Sequence, residues 1–108
     1  MNENQSFKAL EDFLQELCAL YGMVLIANGN WYRVAAQSRA GKYYPRSFIV
    51  IYDFKTEMLL LRTEGCVFDV DFTNAPPTER DMLDFRALAD MTKYIVEWNK
   101  KVLADKEQ

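Results

Sequence analysis

Residues 47–61 read SFIVIYDFKTEMLLL, two apolar runs joined by a polar turn, and the placing of these runs decides the fold. Ser47–Phe54 is apolar at both alternating sets of positions except for Asp53, the pattern of a central strand covered on both sides. Lys55-Thr56-Glu57 turns it into a further strand, Met58–Thr63. If Phe48, Val50, Tyr52 and Phe54 face one way, Ile49 and Ile51 face the other, beside alternate members of Met58-Leu59-Leu60-Leu61 and Val67. An antiparallel sheet usually wets one face, so the leftover apolar residues call for a cover: a loop or helix of this chain, a partner, or a second copy.

Upstream, Met23–Ala27 and Trp31–Ala36 flank Asn28-Gly29-Asn30, which reads as a hairpin. Residues 37–46, QSRAGKYYPR, then predict a ten-residue loop, longer than hairpin connections usually are. Downstream, Glu64-Gly65 turns into Cys66–Phe72, where Cys66, Phe68, Val70 and Phe72 alternate with Val67, Asp69 and Asp71.

Both ends predict helices. From Ser6 to Tyr21 the residues Phe7, Leu10, Leu14, Leu17, Cys18 and Tyr21 recur at helical spacing, with Ser6 as the N-cap and Gly22 as the terminator. After Asn74-Ala75-Pro76-Pro77, the run Thr78-Glu79-Arg80-Asp81 resembles a capping box, and a helix runs to about Ala104 with Leu83, Ala87, Leu88, Met91, Tyr94, Ile95, Trp98 and Val102 on one face. The expected architecture is one α+β domain over residues 1–108, ordered over about 6–103. Its order is α-β-β-β-β-β-α: an N-terminal helix, an antiparallel meander of about five strands and a long C-terminal helix, with the helices largely on one face.

Heptad spacing from Met91 and Trp98 puts Asp84 inside the apolar stripe of the last helix. The sequence favours its emerging at the helix start, where the dipole suits a carboxylate, over its being half-buried and paired with an arginine. Phe85 projects off that stripe as a candidate exposed anchor for a partner.

Charge is segregated along the chain. Residues 1–16 hold one base and four acids, 17–52 four bases and no acid, and 53–108 eight bases and twelve acids, for a net charge of −3. The positive island contains Trp31, Arg33, Arg39, Lys42, Tyr43, Tyr44 and Arg46, bases interleaved with aromatics as phosphate neutralisation and base stacking require. The same set could meet an acidic patch on a protein, and its tyrosines could equally pack locally in a solvated loop. A basic surface in a chain of pI ≈ 4.9 is atypical for a nucleic-acid binder, and neither an RNP nor a GXXG motif is present. Gly41-Lys42 lacks the rest of a phosphate loop. Asp69 and Asp71 project from one face of their strand and could pair with Arg33 or Arg62 across the sheet, form half of a carboxylate site, or remain a solvated polar face.

The chain has no histidine, which removes the usual acid–base catalyst near neutral pH and the commonest metal ligand. Cys18 and Cys66 are too few for a disulfide framework and sit among apolar residues, as reduced thiols do in the cytoplasm. The polar N-terminus resembles no secretory signal, and no apolar run is long enough to span a bilayer.

These readings predict a cytoplasmic, non-enzymatic interaction protein without metal or cofactor. It would be an adaptor, chaperone-like binder, immunity protein or inhibitor that holds or occludes another protein, as small acidic proteins of bacteria and phages often do. Its candidate contacts are Trp31, Arg33, Arg39, Lys42, Tyr43, Tyr44, Arg46, Asp69, Asp71 and Phe85, with homodimerisation through the outer sheet face as a further expectation. The alternatives are a nucleic-acid binder using residues 31–46, and a small-ligand binder with a pocket lined by Tyr32, Tyr52, Tyr94 and Trp98.

Overall fold

The computed structural model describes residues 3–37, 43–63 and 76–106, with side chains over 7–36, 47–63 and 76–106. The chain forms α1 (Glu3–Tyr21), β1 (Met23–Asn28), β2 (Trp31–Gln37), β3 (Tyr43–Tyr52), β4 (Leu59–Arg62) and α2 (Glu79–Lys106). The four strands make one antiparallel sheet in the order β1-β2-β3-β4. The expected fifth strand, Cys66–Phe72, lies outside the described residues.

Helix α1 starts at Glu3, so Ser6 falls inside it and does not cap it. Nothing in Glu3-Asn4-Gln5 stops a helix from growing another turn. The helix buries Leu10, Leu14, Leu17 and Cys18 and ends at Gly22, whose φ of 63° is the left-handed conformation of a C-terminal cap. β1 and β2 pair from Asn28↔Trp31 to Met23↔Ala36 around the two-residue turn Gly29-Asn30. Gly29, with φ 63°, sits at the first central position, where a type II′ turn needs glycine.

The expected ten-residue loop is shorter. β2 runs to Gln37 and β3 begins at Tyr43, so the connection is residues 38–42, and Tyr43, Tyr44 and Arg46 belong to a strand. Ala35 pairs with Ser47 and Gln37 with Tyr43, so Tyr44-Pro45-Arg46 stand opposite Ala36 alone. Proline has no N–H for the ladder, and a bulge is where a sheet accommodates it.

The β3–β4 turn is closed by Asp53 N–H to Met58 O (2.9 Å), Glu57 N–H to Asp53 O (2.7 Å) and Lys55 N–H to Asp53 Oδ1 (2.9 Å). The Lys55 N–H, followed by the Thr56 hydroxyl, holds the Asp53 carboxyl below its ordinary range. Glu57 adopts φ 64°, and its carbonyl accepts a hydrogen bond from Trp98 Nε1 at 2.9 Å.

The core lies between one sheet face and both helices. Tyr32, Val34, Phe48, Val50, Tyr52 and Leu59 pack against Leu10, Leu14 and Leu17 of α1 and Ala87, Met91, Ile95, Trp98 and Val102 of α2. α2 spans 28 residues, about 42 Å at 1.5 Å each. The capping box at its start is made in both directions: Thr78 N–H donates to Asp81 Oδ2 (2.7 Å) and Asp81 N–H to Thr78 Oγ1 (3.1 Å).

Asp84 does not emerge into solvent. It is 0% exposed, and its Oδ1 accepts from Arg80 Nε at 2.8 Å and lies 2.7 Å from Arg80 Nη2. Arg80 also donates to the Tyr21 carbonyl (2.7 Å) and the Gly22 carbonyl (3.4 Å), so the end of α1 covers the start of α2 and buries the carboxylate with its counter-charge.

Candidate functional site

With α1 and α2 on one side, the outer face of the sheet carries the odd-numbered residues of β2 and β3 and the even-numbered ones of β1 and β4. Register sets them in rows across the strands. Val24 leads to Ala35 and Ser47; Ile26 to Arg33, Ile49 and Arg62; Asn28 to Trp31, Ile51 and Leu60. Val24, Ile26, Trp31, Arg33, Ile49 and Ile51 are half-buried, and Leu60 is 45% exposed. Neither helix packs on this face.

The face is an apolar field with a cation near its middle. Trp31 stands directly across from Ile51, and one row away Arg33 stands across from Ile49. Arg33 Nη1 donates to Ser47 Oγ at 2.9 Å, which lays the guanidinium along the sheet and helps to bury Ser47. Between Val24 and Asn28, Trp31 and Ala36, and Ser47 and Tyr52 there is no carboxylate, so nothing on these strands neutralises Arg33.

The structure therefore brings Trp31 and Arg33 together on one face. Backbone strand geometry places Tyr43, Tyr44 and Arg46 on the same hairpin, and Arg39, Lys42, Asp69 and Asp71 lie outside the described residues. Phe85 does not join the group. It is half-buried on α2, on the other side of the sheet. Sequence reasoning missed Val24 and Ile26 as members of the face and Ser47 as the partner of Arg33, and it set alternate members of Met58-Leu59-Leu60-Leu61 beside Ile49 and Ile51 without choosing Leu60. The two-residue turn at Gly29-Asn30 was the signal that could have fixed the register.

The four residues expected to line a ligand pocket are divided. Tyr32 and Tyr52 are each 1% exposed within the core. Tyr94 and Trp98 instead line, with Ala9, Glu97 and Lys101, a shallow depression of about 230 Å³ between the helices, beside which the rings of Phe13 and Tyr94 stack at 3.8 Å.

Burial and hydrogen bonding carry several thiol and phenol groups among the described residues further from neutrality. Burial pushes the Cys18 thiol, a free cysteine, up to about 11. Burial, and then its hydrogen bond to Glu11 Oε1 at 3.0 Å, pushes the Tyr32 hydroxyl up to about 12. Tyr21, which donates to Asp90, is raised by that bond, and Tyr94 is raised by burial. Among the described residues no three His, Cys, Asp or Glu side chains gather where they could hold a metal, and no helix is long and apolar enough to cross a membrane.

Comparison with known protein families, with curated proteins and with solved structures finds no match to the chain.

Proposed function

We propose that this is a non-enzymatic binding protein that holds another protein against the outer face of its sheet, acting as an adaptor, chaperone-like binder, immunity protein or inhibitor. One observation carries the reading: Trp31, Ile49, Ile51 and Leu60 form a contiguous, incompletely covered apolar field around Arg33 while both helices serve the opposite face. A planar aromatic and a guanidinium are among the side chains enriched at protein interfaces, and the aliphatic residues around them exclude water. The complementary partner presents an apolar surface with a carboxylate placed to meet Arg33, and occlusion by such a face needs no catalytic residue. A free, buried Cys18 suits a cytoplasmic setting, which forms part of the proposal.

Nucleic acid is the second reading. It is favoured by Trp31 and Arg33 alternating on one strand face, a stacking surface beside a cation.

The test is affinity capture from host lysate, with and without nuclease, comparing wild type with Trp31→Ala/Ile51→Asp and with Arg33→Glu. The expected result is a nuclease-resistant protein in fixed stoichiometry, with affinity reduced at least about tenfold by each variant. Recovery of nuclease-sensitive, salt-labile nucleic acid alone would establish the second reading. A captured protein indifferent to all three substitutions would remove the outer face from consideration.

A further inference from the structure

The two edges of the sheet are finished differently. At β4, the outward N–H and C=O of Leu59 are both taken by one side chain: Leu59 N–H donates to Asn99 Oδ1 at 2.8 Å and Asn99 Nδ2 donates to Leu59 O at 3.0 Å. α2 thus closes that edge where it crosses it.

Among the described residues nothing comparable occurs at β1. The two-residue turn makes Asn28↔Trp31 a hydrogen-bonded pair, so Ile26 and Val24 also bond inward to β2, and the N–H and C=O groups of Leu25 and Ala27 point away from the sheet. Among the described residues no hydrogen bond reaches these outward groups. The strand, MVLIAN, has no charge, no proline and no bulge, the devices by which proteins blunt an open edge.

We infer that β1 is a pairing edge for β1 of a second copy, joined antiparallel about a two-fold axis so that the two sheets continue as one. The strand is self-complementary in that arrangement. Centred on Leu25, the pairing sets Leu25 against Leu25, Met23 against Ala27 and Val24 against Ile26, so every inner-face residue meets an inner-face residue and the β-branched pair meets on the outer face. Leu25 and Ala27 of each copy then present their outward donors and acceptors to the other. The absence of charge along β1 suits it to an identical strand, since like charges would otherwise face each other across the axis. The two apolar outer faces become one platform of double width. This inference is independent of what that platform holds.

The test uses Ala27→Pro. Ala27 is exposed and its N–H points outward, so proline removes one edge donor and fills the edge while leaving the β1–β2 ladder bonds in place. Sedimentation equilibrium is expected to give a wild-type mass twice that of the chain, and a single-chain mass for Ala27→Pro with unchanged circular dichroism. In wild type, hydrogen exchange at the Leu25 and Ala27 amides should slow as protein concentration rises, a readout that needs no variant to fold. A monomeric wild type overturns the inference. So does a dimer that survives Ala27→Pro, including one lost on Ile51→Asp, which would place the contact face to face.

Discussion

At the junction of the helices, Arg80 binds the Asp84 carboxylate and the carbonyls of Tyr21 and Gly22, so one guanidinium joins the end of α1 to the start of α2. Arg80→Ala leaves a fully buried carboxylate without its counter-charge and is expected to lower unfolding free energy by about 3 kcal/mol in urea titration. The double variant Arg80→Ala/Asp84→Leu should recover most of that loss, because the cost lies in the stranded charge. The placing of Asp84 within an apolar stripe was legible from heptad spacing, and so was Arg80 one turn earlier. What could not be read was the arrival of the α1 terminus over both, a contact about 60 residues away in sequence. Alkaline pH is expected to weaken the fold. Cys18 and Tyr32 are neutral when protonated, and the fold raises them from ordinary values of 9.0 and 10.0 to about 11 and about 12. Their contribution is therefore complete below pH 9 and is lost as pH rises through the folded values. The urea midpoint should hold steady to about pH 9 and fall above it, with the fall reduced in Cys18→Ala.

Among the elements, β4 is the shortest strand and depends most on its neighbour. Its burial comes from Leu59, and the outward backbone of that residue from Asn99. Asn99→Ala should cost about 1–3 kcal/mol and speed exchange of the Leu59 amide, while β1 and β2 amides keep their protection. At the preceding turn, Glu57 is held in a left-handed conformation that glycine adopts freely, so Glu57→Gly should raise the thermal midpoint, by about 0.5–1 kcal/mol in free-energy terms. Helix faces and the first hairpin were legible because apolar period and turn chemistry act locally, as at Leu10, Leu14 and Leu17 or at Asn28-Gly29-Asn30. The extent of β3 was not, because Tyr43–Arg46 reads as loop by its charge and Pro45. Only the pairing of Gln37 with Tyr43 makes it strand. Asn99 gave no sign either, since an asparagine on a helix carries no mark of the strand edge it will meet.

For the whole molecule, α1 and α2 both serve one face of a sheet that is apolar on both sides, and the other face is left with half-buried apolar side chains among the described residues. That surplus was already visible in Ile49 and Ile51. What the sequence could not order was which residues assemble around them, because Val24, Ile26, Trp31 and Leu60 become neighbours only through the register of four strands. The interaction reading makes a prediction at this scale. Rising salt should weaken the Arg33 contribution to partner binding only modestly, because the surrounding apolar area is unaffected by screening, whereas nucleic-acid binding would fall steeply. Measured affinities across a salt series separate the two. The attachment of α2 bears on how the face is presented. The helix is clasped near its first turn by Arg80 on the Tyr21 carbonyl, in its middle by Trp98 and Asn99, and in its last turn by Lys106 Nζ on the Thr56 carbonyl at 2.7 Å. Slippage by one helical turn, about 5.4 Å, would break every clasp together. The end of α1, the β3–β4 turn and β4 are thereby fastened to one rod, and none of them can shift against the others unless α2 lets go at several places at once.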